Sequence, residues 1–106
     1  MKTKRSKACD IKQNVKHRVY LRDNGVCILC GSPYGLPNAH YISRAQGGLG
    51  IEKNIVTLCL DCHHKFDQTT HRQEIKEYIK RYLSLMYKDW NEEELYYKKY
   101  DYTSGQ

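Results

Sequence analysis

The chain has 106 residues, five cysteines and a formal net charge of +6. This is the length of one small domain, too short to bury a large core unaided, and no run of eighteen apolar residues offers a membrane span. The N-terminus MKTKRSKACDIKQ is basic and lacks an apolar h-region. No secretory signal is therefore expected, and the cysteines read as metal ligands in a reducing cytoplasm rather than as disulfides.

Residues 1–22 hold eight Lys/Arg against Asp10 alone, a local net of +7, while residues 23–106 hold ten against eleven. The basic excess thus sits in the first fifth of the chain, where it suits a phosphate backbone or a solubilising tail. Residues 1–9 have no hydrophobic period and are expected to form a flexible basic arm, with Lys4, Arg5 and Lys7 as candidate nucleic-acid contacts. Asp10 is placed to cap a helix over roughly 11–23, whose stripe would be Ile11, Val15 and Val19. RDNG at 22–25 ends it, with Gly25 as a left-handed stop. VCILCGSPYG then reads as a strand and a tight knuckle, NAHYIS (38–43) as a short strand, and RAQGGLG (44–50) as a glycine-rich loop. NIVTLC (54–59) is β-branched and apolar, and helical spacing begins near Leu60.

Residues 72–88 carry the clearest helical period, with Ile75, Tyr78, Ile79, Tyr82, Leu83 and Met86 at steps of three and four. Asn91 followed by Glu94 resembles a capping box for a last short helix, and Trp90 could staple against Leu95. The expected organisation is the arm 1–9, a core over 10–71, and a C-terminal helical extension over 72–106 packed on it.

Cys27-x2-Cys30 and Cys59-x2-Cys62 are separated by 28 residues. Each CxxC turn puts two thiolates on one side of a bend, and two bends complete a tetrahedron around zinc. Such a closed set leaves no position for water, so the zinc would be structural. Iron of the rubredoxin kind would use the same ligands, and an electron-transfer role is the reading that goes with it. Cys9 is left over.

With the cysteines accounted for, His40, Asn54 and His63 remain, and here the chain resembles the HNH endonucleases. The resemblance runs from CILCG through AHYISRAQGGLGIEKNIVTLCLDCHHKFD, and is nearest to the small nucleases of bacteriophages and prophages. It implies an α+β chain with a small ββα-metal (His-Me finger) fold, braced by a structural four-cysteine zinc and flanked by an N-terminal helix and C-terminal helices. It implies that His40 is the general base, that Asn54 holds the loop for His40 or touches the metal, and that His63 binds a catalytic Mg²⁺ or Mn²⁺. Asp67, four residues on, shares that helix face and would be a further ligand. Arg44 and Lys65 would contact phosphate. Position 39 departs from the pattern, with alanine where many relatives carry a ligating Asp or His; His64 is the next candidate ligand, turned by about 100° from His63. The resemblance implies a DNA endonuclease in the cytoplasm of a bacterial host, phage or prophage encoded, with packaging or recombination proteins as partners and no membrane. The alternative is a zinc-stapled nucleic-acid-binding module without catalysis.

Overall fold

A computed structural model describes residues 3–68 and 70–98. It is a small α+β unit: helices α1 (Lys4–Cys9) and α2 (Gln13–Arg22), strands β1 (Leu36–His40) and β2 (Ile55–Leu58), and helices α3 (Leu60–Gln68) and α4 (Arg72–Met86). Short 3-10 turns cover Arg44–Gln46, Glu52–Asn54 and Glu92–Leu95. Among the described residues no helix is long and apolar enough to cross a membrane.

The expected flexible arm is instead largely helical from Lys4 to Cys9. The Thr3 side chain accepts from the Ser6 N–H at 3.0 Å, which satisfies one of the open donors of the first turn. Cys9 is buried, and Arg5 reaches across to donate to the Ala45 carbonyl at 2.9 Å. Tertiary contacts thus hold a helix too short to persist alone. Met1 and Lys2 lie outside the described residues.

Asp10 does not cap α2. It closes α1, its N–H bonding the Ser6 and Lys7 carbonyls, and its carboxylate pairs with Arg44 Nη2 at 2.8 Å. α2 begins at Gln13 behind Lys12, without a side-chain cap. Its stripe is as expected: Val15 and Val19 bury against Ile55, with Ile11 beside them. Asn24 and Gly25 both adopt left-handed backbone (φ 60° and 68°), and the Gly25 N–H closes on the Tyr20 carbonyl.

The strand expected in VCILC is absent. Gly31 N–H bonds the Cys27 carbonyl and Cys27 N–H the Ser32 carbonyl, so the backbone folds on itself and only the Ile28 N–H reaches β2, at Thr57. β1 pairs antiparallel with β2, His40 opposite Ile55 and Ala39 opposite Val56, with an irregularity between Leu36 and Ala39. β1 ends at His40, earlier than expected, and the Tyr41 N–H still bonds the Asn54 carbonyl.

Every residue of β2 is buried, because helices cover both of its faces. Ile55 packs towards α2. Val56 and Leu58 face the other way with Ala39, Phe66, Ile79 and Leu83. α4 therefore supplies part of the same core. A buried polar joint adds to this. The Asp23 carboxylate accepts from the Thr57 N–H, from Tyr82 and from Arg22. Arg22 also donates to the Ile55 carbonyl at 2.7 Å and to Tyr87 at 3.1 Å. A fully buried carboxylate is tolerable only when paired and hydrogen-bonded in this way.

The last expected helix is a single 3-10 turn, in which the Asn91 side chain accepts from the Glu93 N–H rather than forming a capping box with Glu94. Trp90 and Leu95 both belong to the main core.

Candidate metal centre and histidine cleft

The two knuckles converge. Cys27 and Cys30 come from the turn after α2, Cys59 from the end of β2, and Cys62 from the first turn of α3. The four Sγ atoms all lie within 4.8 Å of one another, and Cys30 and Cys59 are 3.6 Å apart. A tetrahedron with metal–sulfur bonds of ~2.3 Å has edges of about 3.8 Å, so the sulfurs are spaced for one ion. A disulfide would need about 2.05 Å. Burial works to raise the Cys27 thiol, but backbone N–H groups of Cys59, Cys30 and Leu29 outweigh it and bring it down to about 7. Cys62 is pushed far up by burial and by the other three sulfurs. Four thiols crowded this closely resist ionising together, and a divalent cation relieves that resistance. The cluster can therefore hold a metal ion such as zinc, with no coordination position left over.

A second feature lies beside it. A cleft of about 590 Å³ is lined by residues that include His40, His63, Asp67, Arg44, Lys16 and Asn38. His63 follows the thiol ligand Cys62 directly, its N–H bonding the Cys59 carbonyl at 2.8 Å, so the knuckle sets where α3 begins and where its first turn points. His63 Nε2 and Asp67 Oδ2 are 3.4 Å apart, one helical turn from each other. That spacing lets one divalent ion take both as ligands. Among the described residues the thiols are the only set of three or more such groups close enough to share an ion, so the cleft offers these two donors and water would complete the shell.

His40 sits at the end of β1 with Nε2 at 2.8 Å from the Cys9 carbonyl oxygen. A carbonyl carries no proton, so the imidazole must donate Nε2–H. In the neutral ring Nδ1 is then the unprotonated nitrogen. Burial lowers the His40 pKa below its ordinary value; the Cys9 carbonyl and Asp10 oppose this, while Arg44 and His63 add to it.

Asn54 is fully buried and its amide is wholly engaged in the frame. Its oxygen accepts from the Ile42 N–H at 2.8 Å, and its nitrogen donates to the Ile42 and Leu49 carbonyls at 3.1 and 2.8 Å. It thus ties the two ends of the glycine-rich loop. Of its two expected roles, this geometry is that of loop holding.

Ala39 is fully buried in the core. Neighbouring strand residues point to opposite faces, so with His40 on the cleft, position 39 faces away from it. Asn38, two residues before His40, does line the cleft, and period-two spacing was the signal for it. Lys16 and Asp10 also line it and carried no motif. Lys65, expected near the phosphate, lies instead in the groove around Cys30, Cys59 and Cys62. It is two residues past His63, about 200° round the helix. His64 is exposed and not among the lining residues. Arg44 is on the cleft, but Nη1 donates to the Cys9 carbonyl and Nη2 pairs with Asp10, both at 2.8 Å. Lys4, Arg5 and Lys7 are exposed on α1.

The chain matches no model of a known protein family, and no curated protein matches it.

Proposed function

We propose that this protein is a divalent-metal-dependent DNA endonuclease of the HNH type, in which β1, β2 and α3 form the ββα-metal unit and the four cysteines hold a structural zinc. The observation that carries the reading is one cleft shared by a histidine of fixed tautomer, His40, and a His63–Asp67 pair spaced for an ion. Phosphodiester hydrolysis needs an activated water and charge stabilisation at the phosphate and leaving oxygen.

His40 Nδ1 takes the proton of the attacking water. Its lowered pKa keeps it neutral, and hence able to accept, at neutral pH. Asn54 fixes the loop behind it, so the ring does not have to be ordered by substrate. His63 and Asp67 would hold the divalent ion, which would supply Lewis-acid stabilisation of the leaving oxygen. Two neighbouring grooves share lining residues with the cleft. One is lined by Lys7 and Lys12 and meets the cleft at Asp10. The other holds His17 and Tyr20 and meets it at Lys16 and Asn38. Cations beside the cleft and an aromatic ring beyond it suit a backbone crossing with a base against the ring.

That the described residues bring no more than two protein donors together for the ion favours a second reading, a nucleic-acid-binding module without catalysis. Supercoiled plasmid incubated with Mg²⁺ or Mn²⁺ separates the two. We expect cutting by the parent, and a loss of about 10²–10⁴ in rate for His40→Ala with zinc content unchanged. DNA binding with no metal-dependent cutting would establish the module instead.

A further inference from the structure

The geometry points to the N-terminal segment Thr3–Asp10 as a positioning strap for His40: the Cys9 backbone carbonyl takes the Nε2–H, and so dictates which ring nitrogen faces the reaction. The role of that nitrogen as base rests on the nuclease reading; the strap itself does not.

The carbonyl is held from several directions. Arg44 Nη1 donates to the same oxygen at 2.8 Å, and Arg44 Nη2 pairs with Asp10 next in the chain. The Gly50 N–H donates to the Ala8 carbonyl at 3.0 Å. Arg5 Nη2 donates to the Ala45 carbonyl at 2.9 Å, closing the far end of α1 on the glycine-rich loop. Cys9 is buried, which anchors the segment from beneath. The backbone at Gly50 leaves no room for a side chain. A Cβ there would lie 2.0 Å from the Asp10 carbonyl oxygen and 3.0 Å from that of Cys9. A glycine is thus required at 50 so that residues 8–10 can lie against the loop and present the Cys9 oxygen to His40.

The chemistry follows from proton placement. A histidine free to exchange tautomers spends part of its time with the proton on Nδ1, where it cannot accept from water. An obligate acceptor at Nε2 removes that population, and because the acceptor is uncharged it does so without adding a second titrating group. The residues that supply it lie more than thirty positions before His40, outside the stretch that resembles the nuclease family. Cys9 acts through its main chain, so Cys9→Ala keeps the acceptor.

Two measurements on the full chain with zinc bound test this. In the parent protein, ¹⁵N–¹H correlation of the imidazoles, with His40 assigned through His40→Gln, should show Nε2–H as the neutral form above the His40 titration. A predominant Nδ1–H form would overturn the proposal without any variant being made. Gly50→Ala should then push residues 8–10 away. We expect mixed tautomers at His40 and a kcat at least tenfold lower than that of the parent. A Gly50→Ala protein with parental tautomer and parental kcat would refute the strap. A parent that holds His40 as Nε2–H, loses this in Gly50→Ala, and cuts no DNA would establish the strap and overturn the nuclease reading.

Discussion

Asn54→Ala tests the frame behind the cleft. The side chain makes three hydrogen bonds, all shorter than 3.2 Å, from a position with no solvent exposure. The two bonds to carbonyls contribute about 1 kcal/mol each net, and the Ile42 N–H left without an acceptor costs about 1–3 kcal/mol in desolvation. The expected loss is therefore roughly 3–5 kcal/mol, a large share of the ~5–15 kcal/mol typical of a domain. In urea, at fixed zinc and with a slope near ~1.5 kcal/mol/M, the midpoint should fall by roughly 2–3 M. Asn54→Asp sharpens the test. It keeps the acceptor for Ile42 but turns a carboxylate towards the Ile42 and Leu49 carbonyls, in a place where burial penalises charge. It should be destabilised at pH 7 about as much as the alanine variant, and should recover in part as the pH falls and the new carboxyl gains a proton to donate. A loss below about 1 kcal/mol in Asn54→Ala would refute the frame argument, as would an Asn54→Asp protein that is stable and binds Mn²⁺ more tightly.

Three further outcomes follow from the geometry. Cys30→Ser should lower soluble yield and zinc content together, since binding at this site is folding free energy; a well-folded variant with one equivalent of zinc, measured by mass spectrometry, would contradict a four-thiolate centre. The His40 pKa is lowered by burial, so the acid limb of cleavage should have its midpoint below the ordinary 6.5. By linkage, the stability contributed by neutral His40 should be present above 6.5 and be lost as pH falls through the depressed folded value, which urea midpoints across pH 5–7.5 of parent and His40→Gln would resolve. Ala39→Asp should destabilise the fold, because the new carboxylate enters the apolar core; tighter divalent-metal binding with unchanged stability would show that position 39 does face the cleft.

The sequence made some elements legible and not others, for physical reasons. The two CxxC pairs and the α4 stripe were readable because each is a short-range pattern with one geometric solution. α1 was not readable, since its stability comes from Arg5 reaching Ala45 and from Gly50 meeting Ala8, contacts about forty residues apart that leave no local trace. Asp10 looked like a cap for α2, but a cationic partner 34 positions away claimed its carboxylate. Two placements follow from periodicity alone. Strand alternation turns Ala39 from the face of His40, and helical rotation turns Lys65 from the face of His63. The Cys9 carbonyl could not have been found, because a main-chain oxygen has no letter.

The glycine-rich loop is clasped from both ends of the described chain. Residues 5 and 8 bond it on one side, and on the other Leu49 N–H bonds the Leu95 carbonyl while Tyr97 N–H bonds Gly47. This imposes an order of assembly during synthesis. Both cysteine pairs emerge from the ribosome by residue 62, so the metal knuckle can close early, whereas the loop that carries Arg44 and abuts His40 must await residue 97. Contacts of such long sequence separation are the slow ones to form. A nascent chain would thus hold its metal well before its cleft is set. His40, beside that loop, reaches its final surroundings among the last.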